Sequence, residues 1–108
     1  MVNTMGLAST DTLSGTAAAV GSVKTRWVDR AVVVVSGLTS ETVAVTGLLS
    51  GSVYTADLRP INLTTGVVEA SDSNLSNGSF LFDNLAYDEL KFTKSAATET
   101  ITITVRTA

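Results

Sequence analysis

The stretch LFDNLAYDELKFTKS, Leu81 to Ser95, carries the most chemically able side chains of this chain. Asp83, Asp88 and Glu89 sit close together among Phe82, Leu85, Tyr87, Leu90 and Phe92. Two carboxylates can cleave a glycosidic bond when held at a fixed separation across a cleft, with one pKa raised by burial. Just upstream, Asp72, Asn74, Ser76 and Asp83 fall at the first, third, fifth and twelfth positions of a calcium-loop spacing. There, however, the required glycine is displaced by one, to Gly78, and neither flank looks helical. Both sets also read as turn formers and wet-face charges, and a chain of 108 residues leaves little room for a substrate cleft. The sequence therefore predicts no catalytic residues, no metal ligands and no cofactor, and a protein that is not an enzyme.

The rest of the composition points the same way. The chain has no His and no Cys. That removes disulfides, thiolate nucleophiles, Cys/His zinc sites and the most common general base. Ser and Thr are abundant, but without imidazole they lack their usual activator. Lys and Arg total 7 against 10 Asp and Glu, scattered along the chain, so no basic stripe invites nucleic acid. The longest purely apolar run, Ala31 to Val35, is far short of the ~20 residues a membrane helix needs. MVNTMGLASTDTLSG lacks the basic and apolar regions of a secretory signal, so synthesis without export is expected. The sequons at Asn62, Asn74 and Asn77 then read as chance matches in Asn/Ser/Thr-rich turns.

The elements that must position these residues are strands. From Ser22 onward, Val, Thr, Ile and aromatic residues concentrate in short runs separated by Gly, Asn, Asp and Ser. Strands are predicted near Val23–Val28, Ala31–Ser36, Thr42–Thr46, Val53–Pro60, Val67–Ala70, Ser79–Asp83, Leu90–Ser95 and Thr100–Arg106, the first two forming one strand bent at Asp29-Arg30. In ETITITVRTA, Ile101, Ile103 and Val105 alternate with Thr and Arg, as in a half-buried strand. AVVVV reads as a strand covered on both sides. NLTTGV predicts a hairpin in which Gly66 takes a positive φ, and Pro60 belongs at a strand end. Asn77-Gly78 suits a tight reversal. The fold class expected is an all-β, antiparallel two-sheet sandwich of immunoglobulin-like or Greek-key type, with about seven or eight short strands. In that frame LFDNLAYDELKFTKS becomes a corner between strands, with Leu85 and Leu90 buried and the Tyr87 hydroxyl bonded to backbone.

Two domains of behaviour follow: residues 1–21 as a flexible or extended N-terminal arm, and residues 22–108 as the sandwich. The arm sustains no period of its own; its spaced Met5, Leu7 and Leu13 would serve as anchors on a partner. Trp27, the sole tryptophan, reads as core or as an interface anchor, with Arg26 beside it able to make charge-assisted contacts.

The order VAVTG…VYTADLRPINLTTGVV…NGSFLFDNLAYDELKFTKSAATETITITVRTA resembles small β-sandwich virion proteins of tailed bacteriophages. In those chains a turn glycine precedes a short aromatic strand (Gly78, then Phe80 and Phe82). A corner with a Tyr leads into a further strand, and a Thr-rich strand closes the domain. The likeness spans Thr42 to Ala108, and the chain departs from the small trimeric head-stabilising proteins, which are richer in Pro and Gly. The resemblance implies a capsid decoration (cement) protein on the outside of the virion, made in the host cytoplasm. Its implied partners are the major capsid protein and itself, as a homotrimer or other symmetric oligomer, with neither nucleic acid nor membrane. A head–tail connector or tail component is the alternative, then a carbohydrate- or host-surface-binding module. An obligate interface would also hide the hydrophobic edge strands AVVVV and ITITV, which are otherwise aggregation templates.

Overall fold

A computed structural model describes residues 9–26, 28–49, 52–54, 58–70, 74–83 and 85–107. Met5, Leu7, Trp27 and Asp72 lie outside the described residues. Every regular element described is a strand: β1 (Ser9–Gly15), β2 (Ala19–Lys24), β3 (Ala31–Ser36), β4 (Val43–Leu49), β5 (Ser52–Tyr54), β6 (Ile61–Asn62), β7 (Gly78–Phe82), β8 (Glu89–Lys94) and β9 (Ile101–Thr107). They form two antiparallel sheets, one ordered β1-β9-β3-β7-β6 and the other β2-β8-β4-β5. The expected two-sheet sandwich is what the chain adopts. No helix among the described residues is long and apolar enough to cross a membrane.

Alternation decides which side chains meet between the sheets. On β9, Ile101, Ile103 and Val105 are buried while Thr102, Thr104 and Arg106 face outward. Phe80 and Phe82 from β7 join Leu90 and Phe92 from β8 in the same core, with Val33, Val35, Val43 and Val45 around them. Each such side chain removed from water contributes roughly 1.5–3 kcal/mol, and no disulfide supplements them. AVVVV alternates as well. Ala31, Val33 and Val35 are buried, but Val34 is 39% exposed, so β3 is covered on one face only. Its apolar run reflects a place inside the sheet, between β9 and β7. β3 and β9 are thus interior strands, not the aggregation-prone edges expected of AVVVV and ITITV.

The start of the sandwich also differs from expectation. From Ser9 the chain is already in the fold: β1 pairs with β9 along its whole length, from Ser9↔Thr107 to Gly15↔Ile101. β2 then pairs with β8, with a register shift between Ala19 and Gly21. Ser9–Gly15 and Ala19–Lys24 are edge strands in place of the arm expected over residues 1–21, of which 1–8 lie outside the described residues. Their sequence concealed this because an edge strand satisfied through its backbone needs few apolar residues. β1 contributes only Leu13 toward the core, and its other side chains are largely exposed. Val23–Val28 and Ala31–Ser36 are not one bent strand either, since β2 and β3 belong to different sheets and the described residues between them, 25, 26 and 28–30, belong to no strand. Of the strand expected at Val53–Pro60, only Val53 and Tyr54 are strand, in β5; residues 55–57 lie outside the described residues and 58–60 precede β6, while Val67–Ala70 retains only a bridge between Ile61 and Val68.

Turn chemistry follows the sequence closely. In NLTTGV, Gly66 adopts φ 75° and donates its N–H to the Asn62 carbonyl at 2.7 Å, while Asn62 donates to Val67 at 2.9 Å. Pro60 stands just before β6, and its carbonyl accepts from Glu69. Asn77 does more than reverse the chain. Its side chain accepts from the Leu38 N–H at 2.9 Å and donates to the Leu38 carbonyl at 2.8 Å, extending the pairing between β3 and β7 past the strand ends.

Deleting residues 1–15 should lower the stability measured by urea denaturation by well over the ~0.5 kcal/mol typical of a surface change, because the β9 edge loses its partner. An unchanged urea midpoint would return this segment to the status of an arm.

Candidate functional site

At the end of the sandwich where β3 begins, the described residues of the crossover to β3 (25, 26 and 28–30) and of the corner before β8 (85–88) meet the end of β4. The corner is stitched by backbone bonds. Thr25 donates its N–H to the Asp88 carbonyl at 2.8 Å, Leu85 to Asp29 at 2.8 Å, and Asp88 to Leu48 at 2.9 Å. The Thr25 hydroxyl, itself buried, donates to the Tyr87 carbonyl at 2.7 Å. Together they wall an open cleft of about 650 Å³, lined by Thr25, Arg26, Val28, Leu49, Leu85 and Tyr87 among others. Tyr87 lies face-on against β4: a Cβ added at Gly47 would meet the ring Cγ at 2.6 Å. Gly47 is therefore dictated by close approach of a ring, and the corner is anchored by that stacking and by the Tyr87 carbonyl.

Each carboxylate of LFDNLAYDELKFTKS finds a cation on the neighbouring segment. Asp83 pairs with Arg30 at 4.0 Å, Asp88 with Arg26 at 3.3 Å, and Glu89 with Lys24 at 3.4 Å. The cations are more than half exposed, so each pair contributes at most ~1 kcal/mol. The Ser22 hydroxyl bonded to Glu89 at 2.7 Å, helped by Lys24 and opposed by burial, holds that carboxyl below its usual range. A general acid needs the opposite shift. Among the described residues, no three His, Cys, Asp or Glu converge as a metal site. Asn74, from the calcium-loop spacing, takes φ 69° beside Leu75, which bridges to Val43 and is buried.

Of the expected partner-contacting residues, Arg26 lines the cleft. Leu13 sits elsewhere, on β1 opposite Ile103, half-buried against its own core. The structure does not bring the two together, and Met5, Leu7 and Trp27 are outside the described residues.

The opposite end holds a cluster that sequence reasoning missed. Lys94 Nζ lies 2.8 Å from Glu41 Oε1, with side-chain exposures of 0% and 4%. The second Glu41 oxygen accepts from the Thr98 N–H at 2.8 Å, the Glu99 N–H at 3.1 Å and the Thr98 hydroxyl. Lys94 also donates to the Glu99 carbonyl. Glu99's carboxylate in turn accepts from the N–H groups of Thr39 and Ser40 at 2.8 Å and of Glu41 at 3.1 Å. The signal was present in the pattern: Lys94 is in phase with Leu90 and Phe92, and Glu41 with Val43 and Val45, so period two aims both inward. Burial alone would raise the Glu41 pKa, but the Lys94 ammonium and the Thr98 and Glu99 donors outweigh it and bring it to about 2. Bonds from Thr39, Ser40 and Glu41, against burial, likewise hold Glu99 low.

No protein-family model matches the chain, and no curated protein sequence matches it. Among solved structures it is similar to the SPBc2 prophage-derived protein YomS, with a TM-score of 0.71 at 14% identity, covering 95% of this chain and 96% of that one. It is also similar to the PBSX exported protein XepA, with a TM-score of 0.71 at 15% identity, covering 95% of this chain and 39% of that one. At these identities the likeness is one of fold.

Two outcomes test the two ends. Because the folded Glu41 pKa lies below its ordinary 4.5, the stability it contributes is complete above that pH and lost as pH falls toward 2. Urea midpoints measured across this window should fall for the wild type and fall less steeply for Glu41→Gln, which starts from a lower neutral value. At the cleft, Gly47→Ala should destabilise the protein by roughly 1–3 kcal/mol through overpacking, read in the same assay.

Proposed function

We propose that this protein is a structural component of a tailed-phage virion, and more finely a capsid decoration protein that binds the outside of the major capsid protein shell. The observation that carries the reading is the end-to-end match of this sandwich to YomS, a phage-derived chain spanned over 95% and 96% of the two lengths. XepA is phage-derived too. The side chains agree with a mechanical part. The carboxylates near the cleft are neutralised by cations, and the buried Lys94–Glu41 pair is committed to holding loops. In such a role the sandwich bridges neighbouring shell subunits and resists their separation, and repeated copies offset a modest affinity per contact.

A second reading rests on one observation: the same sandwich accounts for 39% of XepA, a protein described as exported. A module of this fold acting at a host surface fits that context, with the open cleft as its binding face.

Shells assembled without this protein provide the test. Added to them, the purified chain should co-sediment at saturable stoichiometry and raise the temperature at which they disrupt. Failure to bind, or binding without a thermal shift, would remove the decoration role. Saturable binding to host cells in place of shells would favour the second reading.

A further inference from the structure

Of the five asparagines in the chain, Asn77 alone precedes a glycine. The others precede Thr4, Leu63, Leu75 and Leu85, whose side chains crowd the backbone nitrogen that follows the asparagine. Asn-Gly is chemically labile because that nitrogen, unhindered where no Cβ stands beside it, can attack the asparagine's own side-chain carbon. Both residues are nevertheless dictated by the fold. Gly78 opens β7 at φ 149°, a conformation that side chains resist, although an added Cβ would meet nothing closer than Phe80 at 3.6 Å. Asn77 has to present an acceptor and a donor side by side: Oδ1 accepts the Leu38 N–H at 2.9 Å, and Nδ2 donates to the Leu38 carbonyl at 2.8 Å. An ionised Asp offers no donor there.

The same clamp restrains the reaction. Nδ2 is the leaving nitrogen, so ring closure requires the loss of its bond to the Leu38 carbonyl. Leu38 cannot follow a moving Asn77 side chain. Its own side chain is part of the core, and Gly37 before it runs so close to Thr100 that an added Cβ would lie 2.7 Å from that carbonyl oxygen. Asn77 is itself exposed, so water reaches it once the clamp opens.

We propose that Asn77-Gly78 is a site of spontaneous deamidation, held in check by the Leu38 clamp, and that its conversion loosens the locked end of the sandwich. The Gly78 nitrogen bonds to Asn77 Cγ as the Cγ–Nδ2 bond breaks, and its proton leaves with the departing ammonia. Water then opens the cyclic imide at either carbonyl, giving aspartate or isoaspartate, with no oxidant or enzyme required. Either product breaks the clamp. Aspartate sets a carboxylate oxygen against the Leu38 carbonyl, two acceptors with no proton between them. Isoaspartate adds a methylene to the main chain immediately before β7, where Gly78 faces Val35. The new charge also arrives next to the 39–41 segment, whose N–H groups hold Glu99. The inference concerns this chain alone and stands apart from shell binding, so either can fail without the other.

The test ages the purified full chain in mildly alkaline buffer, native in one arm and unfolded in urea in the other, and follows each amide by peptide mass spectrometry. In the unfolded arm Asn77 should convert to acid faster than Asn62 and Asn74, which serve as internal standards. In the native arm Asn77 should convert at least ~10-fold more slowly than in urea, as two hydrogen bonds to be broken imply. Asn77→Asp, which mimics one product, should show a lower urea midpoint than the wild type. If that variant does not fold, deamidated molecules separated by ion exchange from aged wild type replace it in the same assay. Native conversion as fast as in urea would show that the clamp protects nothing. Asn77 converting no faster than Asn62 and Asn74 in urea, or an unchanged midpoint in the converted chain, would equally overturn the inference.

Discussion

A lysine ammonium with no exposure to water, held 2.8 Å from a carboxylate in phase with the valines of β4, constrains more of this molecule than any other contact. Lys94 and Glu41 occupy core-facing positions, so a one-residue slip of either strand would turn a charge out and strand its partner inside. Removing one member leaves an uncompensated buried charge, which is why such a pair specifies register even where its net stabilisation is small. Around it, Thr98 and Glu99 bring the 95–100 loop onto Glu41, and Glu99 returns four hydrogen bonds to the 39–41 segment, one of them from the Ser40 hydroxyl. One end of the sandwich is thereby closed by charge-assisted bonds and its loops are committed to structure.

The other end is built differently. Its ion pairs are exposed and weak, and its corner is held by backbone bonds and by Tyr87 against Gly47. That arrangement leaves an open cleft at this end. In the proposed decoration role, one locked end and one open end would suit a part used in many copies, where affinity per contact need not be high. The fold itself is shared with YomS and XepA at 14% and 15% identity.

How much of this was legible in the sequence depended on which force set each element. Strands whose inner faces are apolar, such as Ala31–Ser36 and Ile101–Thr107, announce themselves by alternation. Turns whose backbone needs a particular residue, such as Asn62 to Gly66, do so by their chemistry. β1 was illegible because it is held by backbone bonds to β9 and contributes one half-buried side chain, Leu13. The carboxylates near Tyr87 looked catalytic because composition clusters them, whereas their cations arrive from Lys24, Arg26 and Arg30, far away in sequence. Lys94 and Glu41 were overlooked for the converse reason: charged residues are assigned to the surface by default, and only their phase with Phe92 and Val43 places them inside.

The proposed role makes this chain a built-in part of a virion. Quantitative mass spectrometry of purified phage particles carrying it measures that directly, as copies of this chain per copy of the major capsid protein. A decoration role predicts hundreds of copies per particle, at a fixed ratio to the shell protein that persists through repeated purification. A chain found in the lysate and missing from the particles would contradict it, and a single ring of copies would contradict the decoration role and place the protein at the connector or tail.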